Sequence, residues 1–168
     1  MQCITFAFYR SLGGSLLCVL LLISGCSSAK SALKLVGLGS DNALKKITIE
    51  AAANSNLDTP VALDIIFIYD EKITPLLSEL NGPQWFQQKL SFSQRFANAI
   101  DIVDIEMVPL SRIESVSLPK KHKQAKNIVL FANYRTSDGQ YMAELSHFKQ
   151  LTIRLLNTQY TLQPEGGQ

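Results

Sequence analysis

Asp101, Asp104 and Glu106 stand close together in the stretch DIVDIE, and closely spaced carboxylates are the usual material of general acid–base catalysis. Such a pair works only where its surroundings drive the two pKa values apart, and nothing beside them in the sequence would do so. On a strand Asp104 and Glu106 share a face, which reads more simply as an outward polar face. The two histidines, His122 and His147, are far apart, and neither has a metal-ligating companion two to four positions after it. His122 lies in the basic run Pro119-Lys-Lys-His-Lys, most simply a solvated hairpin tip. Its lysines, with Lys126, could attract anionic head groups weakly. Gly37-Leu38-Gly39 lacks the third glycine and the preceding strand of a dinucleotide loop. There is no nucleophile elbow, and spacing proposes no Ser-His-Asp set. No catalytic residue, metal, cofactor or small-molecule substrate is expected.

The remaining candidate is a cysteine. Arg10 is followed by an almost wholly apolar run, Ser11 to Ile23, and then by small residues, which is the layout of an N-terminal targeting signal. The run falls short of the ~20 residues that a transmembrane helix needs. Residues 3–9 are also apolar, so an uncleaved signal anchor stays open. Ile23-Ser24-Gly25-Cys26 resembles a bacterial lipobox, which implies removal of residues 1–25, diacylglycerol on the Cys26 sulfur and an acyl chain on its new amino terminus. A core cysteine or an ordinary signal peptide are the alternatives. Cys3 and Cys18 would leave with the signal, so Cys26 would be the lone cysteine of the mature chain, excluding an internal disulfide or a cysteine metal cluster. Of 16 Lys plus Arg against 14 Asp plus Glu, Arg10 also leaves, and the near-neutral remainder gives no reason to expect nucleic acid. By resemblance to bacterial lipoproteins, serine rather than aspartate after the cysteine implies the outer membrane, periplasmic face.

The rest of the 168 residues suits one globular domain. Residues 26–44 read as a tether of small and weakly patterned residues, roughly 60 Å long if extended and about 23 Å as a flexible coil. Residues 45–163 read as the domain and 164–168 as a tail. Lys46 to Ala51 alternates polar and apolar, the period of a half-buried strand. Val61 to Tyr69 is the longest β-branched and aromatic run, a central strand in which Asp64 must face water or a partner. Asn81-Gly82-Pro83 offers a turn with proline at a first helical position. Within Gln84 to Ile100 behind it, one or two helical turns packed on the sheet are expected, with Trp85, Phe92, Phe96 and Ile100 on roughly one face and Phe86 and Leu90 beside it. Further strands are expected at 102–108, 113–118, 128–134, 141–148, 151–156 and 158–162, with a hairpin at Thr136-Ser137-Asp138-Gly139. Short strands plus one short helical insertion predict a mainly β protein, a two-sheet antiparallel β-sandwich.

Four stretches together resemble a known family, the TssJ outer-membrane lipoproteins of bacterial type VI secretion. They are the lipobox at Cys26, IEAAANSNLDTPVALDIIFIYD (residues 49–70), GPQWFQQ (82–88) and IVLFANYRTSDGQYMAEL (128–145). A closing strand at Leu151 to Leu156 fits as well. Where the family usually has a Pro-Gly-Glu turn, this chain has Pro109-Leu110-Ser111-Arg112, which leaves the register of the flanking strands open. The resemblance implies a transthyretin-like sandwich without catalytic role. It also implies binding to the periplasmic region of the inner-membrane protein TssM through the loop between the first two strands. Here that loop is Ala53-Asn54-Ser55-Asn56-Leu57-Asp58-Thr59, and its one leucine among polar neighbours suits a small apolar anchor. A pilotin-like or assembly lipoprotein of another secretion or pilus system is the alternative, and a plain connecting loop is the simplest reading of residues 53–59.

Overall fold

A computed structural model describes residues 42–136 and 139–165; the lipobox, the signal and most of the tether lie outside them. Eight strands form two sheets: β1 (Lys46–Ala51), β2 (Val61–Ile68), β3 (Ile100–Met107), β4 (Arg112–Ile113), β5 (Asn127–Asn133), β6 (Ala143–Glu144), β7 (Gln150–Leu155) and β8 (Tyr160–Pro164). One sheet has the order β4-β1-β7-β8 and the other β3-β2-β5-β6. The expected two-sheet sandwich is present, with one departure from a purely antiparallel arrangement. β1 and β7 run parallel, from Lys46 opposite Gln150 to Ala51 opposite Leu155, while the other named pairs are antiparallel.

Strands β2 and β5 explain the longest apolar runs. Val61, Leu63, Ile65 and Phe67 point into the core between the sheets, as do Ile128, Leu130 and Ala132. The intervening Ile66, Ile68, Val129 and Phe131 point the other way, into a second cluster with Trp85, Ile73 and Leu77. A strand buried on both faces loses its alternation and reads as a continuous hydrophobic run.

The second cluster is roofed by helices. A 3₁₀ turn at Glu71–Ile73 leads into α1 (Thr74–Ser78), and α2 spans Gly82–Arg95. Asn81 starts α2 with a reciprocal cap: its Oδ1 accepts from the Gln84 amide, while Gln84 Oε1 accepts from the Asn81 amide, each at 3.0 Å. Gly82 sits so close to β5 that a Cβ would lie 1.9 Å from the Ala132 carbonyl oxygen, so only glycine fits there. Trp85 then stacks on Phe131 with ring centroids 5.2 Å apart, and Phe92 tilts against Trp85 at 5.7 Å. At 14 residues α2 is longer than the one or two turns expected, although it stops at Arg95. Ile100 begins β3, and Leu90, beside the apolar face, is 69% exposed.

Two expected strands are shorter than their patterns. The 113–118 segment pairs regularly only at its start, although Val116 still donates its amide to the Ile47 carbonyl at 2.9 Å. The 141–148 segment keeps only Ala143–Glu144, because the Ser146 hydroxyl takes the Ile128 amide at 2.8 Å in place of a ladder bond. The hairpin joining β5 and β6 lies partly outside the described residues. The packed chain also reaches beyond both expected domain limits. Leu44 is buried in the core, Pro164 pairs with Leu151, and the Glu165 amide donates to the Gln150 carbonyl.

Candidate functional site

The β1–β2 loop carries the chain from one sheet to the other, and its shape is set by one asparagine. Asn56 is 2% exposed. Its Nδ2 donates to the Pro60 carbonyl at 2.5 Å, and its Oδ1 accepts from the Arg135 amide at 2.7 Å. The Asn56 carbonyl in turn accepts from the Thr59 hydroxyl at 2.6 Å. Its own amide and that of Leu57 donate to the carbonyls of Leu156 and Asn157 in the β7–β8 turn, both at 3.1 Å. The loop is therefore tied to β5 and to β7, not free.

Three consecutive residues, Asn56, Leu57 and Asp58, have positive φ of 48°, 56° and 60°. Asparagine tolerates this region, but a branched side chain there is costly. The outcome is that Leu57 stands outward, 46% exposed, with Asn54 and Asp58 exposed beside it and Thr59 half-buried. Ser55 and Asn56 are buried. Of the loop residues singled out in the sequence, Asn54, Leu57 and Asp58 can meet a partner directly. Asn56 holds the loop from inside, and a substitution there would test folding before it tested contact.

A second loop at the same end was not singled out. Residues 108–111 join β3 to β4, and the Ser111 carbonyl accepts the Ala51 amide at 2.9 Å, next to where the β1–β2 loop begins. Leu110 is 80% exposed with φ 65°, and Val108 is 52% exposed. The register left open by the Pro109–Arg112 departure is settled by Val61 opposite Met107 and Ile49 opposite Ile113. Leucine has taken the left-handed turn position. The sequence signal was there: an apolar residue at the glycine position of a turn. Beneath this end, burial pushes the hydroxyls of Tyr134 and Tyr160 well above the ordinary tyrosine range, so both stay neutral.

The other chemistry-bearing residues are occupied elsewhere. Buried Asp64 faces α2, accepting from Trp85 Nε1 at 2.7 Å, with Lys89 Nζ 3.0 Å from its carboxylate. Asp104, directly across the strands from Asp64, shares the same lysine. Like charges placed opposite would repel, and Lys89 between them offsets that. Asp101 accepts the Tyr69 hydroxyl at 2.6 Å; burial first, and this carboxylate second, push that hydroxyl up. Glu106 is exposed. His122 Nδ1 lies 2.9 Å from the Pro119 carbonyl, and His147 packs on Phe148. Among the described residues no three His, Cys, Asp or Glu side chains gather as a metal site, and no helix is long and apolar enough to cross a membrane.

A helix-roofed two-sheet sandwich with two leucine-tipped loops at one end defines the class. No family profile and no curated protein matches the sequence. Solved structures do match. The T6SS lipoprotein TssJ1 from Pseudomonas aeruginosa superposes with a TM-score of 0.53 at 15% identity, covering 73% of this chain and 96% of that one. Serratia marcescens Lip, described as a membrane-bound component of the type VI secretion system, gives 0.52 at 10% identity, covering 75% and 99%. A chain in a structure described as the T6SS protein TssM C-terminal domain (869-1107) from EAEC gives 0.53 at 15% identity, covering 71% and 97%. This chain has the TssJ-like sandwich fold.

Proposed function

We propose that this protein is a non-enzymatic structural lipoprotein of a type VI secretion membrane complex. It is held at the periplasmic face of the outer membrane by acyl chains on Cys26, and it grips the periplasmic region of a TssM-like inner-membrane protein. The observation that carries the reading is the β1–β2 loop, built from within so that one leucine stands out in a left-handed turn on a TssJ-like sandwich. The TssM-titled match adds support. Its description puts a chain of this fold among type VI secretion proteins.

Leu57 and Leu110 supply the apolar centre of the contact, and Asn54 and Asp58 its polar rim. The test is Leu57→Asp with Asn56 intact. Because Leu57 is at the surface, stability should change by less than about 0.5 kcal/mol. Losing an apolar anchor and burying a charge should weaken capture of the TssM periplasmic region by about a hundredfold. Capture at wild-type strength by the folded variant would overturn the loop assignment. Crosslinking from the intact envelope with Cys26 present separates machines: recovery of a secretin in place of type VI components would favour a pilotin-like lipoprotein.

A further inference from the structure

The chain enters the sandwich at the end opposite Leu57, and a basic loop waits there. Asn42 Nδ2 donates to the carbonyls of His122 at 2.7 Å and Ala125 at 3.1 Å, while its Oδ1 accepts from the Leu44 amide at 3.1 Å. The Lys45 amide donates to the Lys149 carbonyl at 2.8 Å, which brings the β6–β7 loop to the same place. Exposed Lys45, Lys120, Lys121, Lys123, Lys126 and Lys149 therefore share one end of the molecule. Acidic groups are fewer there. Asp70 and Glu71 are exposed beside Lys72, and Asp101 is engaged by Tyr69. Glu165, whose amide donates to the Gln150 carbonyl, pairs with Lys46 at this same end. Arg112, with Glu50 and Glu114, and Lys89, with Asp64 and Asp104, are held against carboxylates away from it. A chain close to neutral overall has gathered its excess positive charge where its N-terminal segment joins the fold.

We propose that this lysine-bearing end is a docking surface for an anionic bilayer, recognising the phosphate head groups of acidic phospholipids beside the anchor. The inference rests on Cys26 being the lipid-bearing residue. Acyl chains on Cys26 would attach the protein to the membrane at one residue, 16 positions before Asn42, and a single attachment point does not by itself set which end of the domain faces the bilayer. Screening confines the attraction to about 8 Å from the surface, so the lysines act only when this end faces the membrane. Seating that end turns the Leu57 and Leu110 loops, one strand length or about 20 Å away, outward into the periplasm.

The test uses the full acylated chain in vesicles of phosphatidylcholine, with or without phosphatidylglycerol, read by amide hydrogen exchange. Phosphatidylglycerol should slow exchange across residues 119–126 about tenfold, reversibly at high salt. Reversing Lys120, Lys121, Lys123 and Lys126 to Glu should remove the effect while β2 and β5 exchange as before, showing that the fold is intact. Equal exchange in the two vesicles overturns the proposal, as does protection that survives the reversal. Inorganic phosphate giving the same protection without vesicles overturns it in favour of a small anion site. The anchor is read separately: a chain that does not float with phosphatidylcholine vesicles disproves the lipidated Cys26. In that case salt-sensitive, lysine-dependent flotation with phosphatidylglycerol vesicles still supports the docking surface, and its absence overturns it.

Discussion

Asn56 and Asn42 sit at opposite ends of the sandwich and do the same job at different depths. Each uses a primary amide to hold backbone groups that are distant in sequence: Asn56 takes Arg135, and Asn42 takes His122 and Ala125. Asn56 is almost fully buried, while Asn42 is half-buried. A buried amide cannot be replaced by water, so its loop has one shape; a half-buried amide can be partly replaced, so its loop is held more lightly. What each loop then displays is set by its neighbours, leucine at one end and lysine at the other. The contrast teaches that rigid display belongs to the apolar contact, which needs a defined shape, and looser display to the charged one, which does not.

The most damaging way to break this contrast is Asn56→Ala. It removes the side-chain bonds to the Arg135 amide and the Pro60 carbonyl and puts a less tolerant residue at positive φ. With about 1 kcal/mol for each lost bond and about 1 kcal/mol for the left-handed backbone, a loss of about 3 kcal/mol is expected by urea unfolding. Capture of the TssM region should fall with it, since Leu57 is presented through this residue. A loss below about 1 kcal/mol would mean that the loop is held by its backbone bonds to the β7–β8 turn instead.

These pins were the part that sequence could not reveal. The alternation of β1, the apolar run of β2 and the proline of Asn81-Gly82-Pro83 are local signals, and each falls in its element. Pairing partners are not local. The parallel approach of β1 to β7 brings together segments far apart in the chain, and no period announces it. Edge segments misled because the 113–118 and 141–148 stretches have strand composition but give their backbone groups to irregular or side-chain partners. In the loop, polar composition suggested uniform exposure, whereas Ser55 and Asn56 are buried beneath Leu57. Asp64 was legible only as a carboxylate needing a partner; which partner depended on where α2 lands.

Asn42→Ala sharpens the comparison from the lighter side. One net hydrogen-bonded cluster at a half-buried site is worth about 1 kcal/mol. The loss should be confined to its own end. Amide exchange across residues 119–126 should speed up, while exchange of the Asn56 and Leu57 amides stays unchanged. Global destabilisation comparable to that of Asn56→Ala would show that the two ends are pinned alike and remove the distinction.

Leu110→Gly has the smallest expected effect on stability and the opposite sign. Leucine in the left-handed region costs roughly 1–2 kcal/mol, and glycine there would relieve it at a cost of roughly 0.5–1 kcal/mol in unfolded-chain entropy. The side chain is 80% exposed, so removing it forfeits little burial. A gain of about 0.5 kcal/mol should follow in urea unfolding. If Leu110 served only its turn, partner capture would stay level as stability rose. If it stands beside Leu57 in one contact, capture should weaken by about tenfold while the domain becomes more stable. That opposite movement separates a displayed residue from a structural one, because a structural residue would lose stability and capture together.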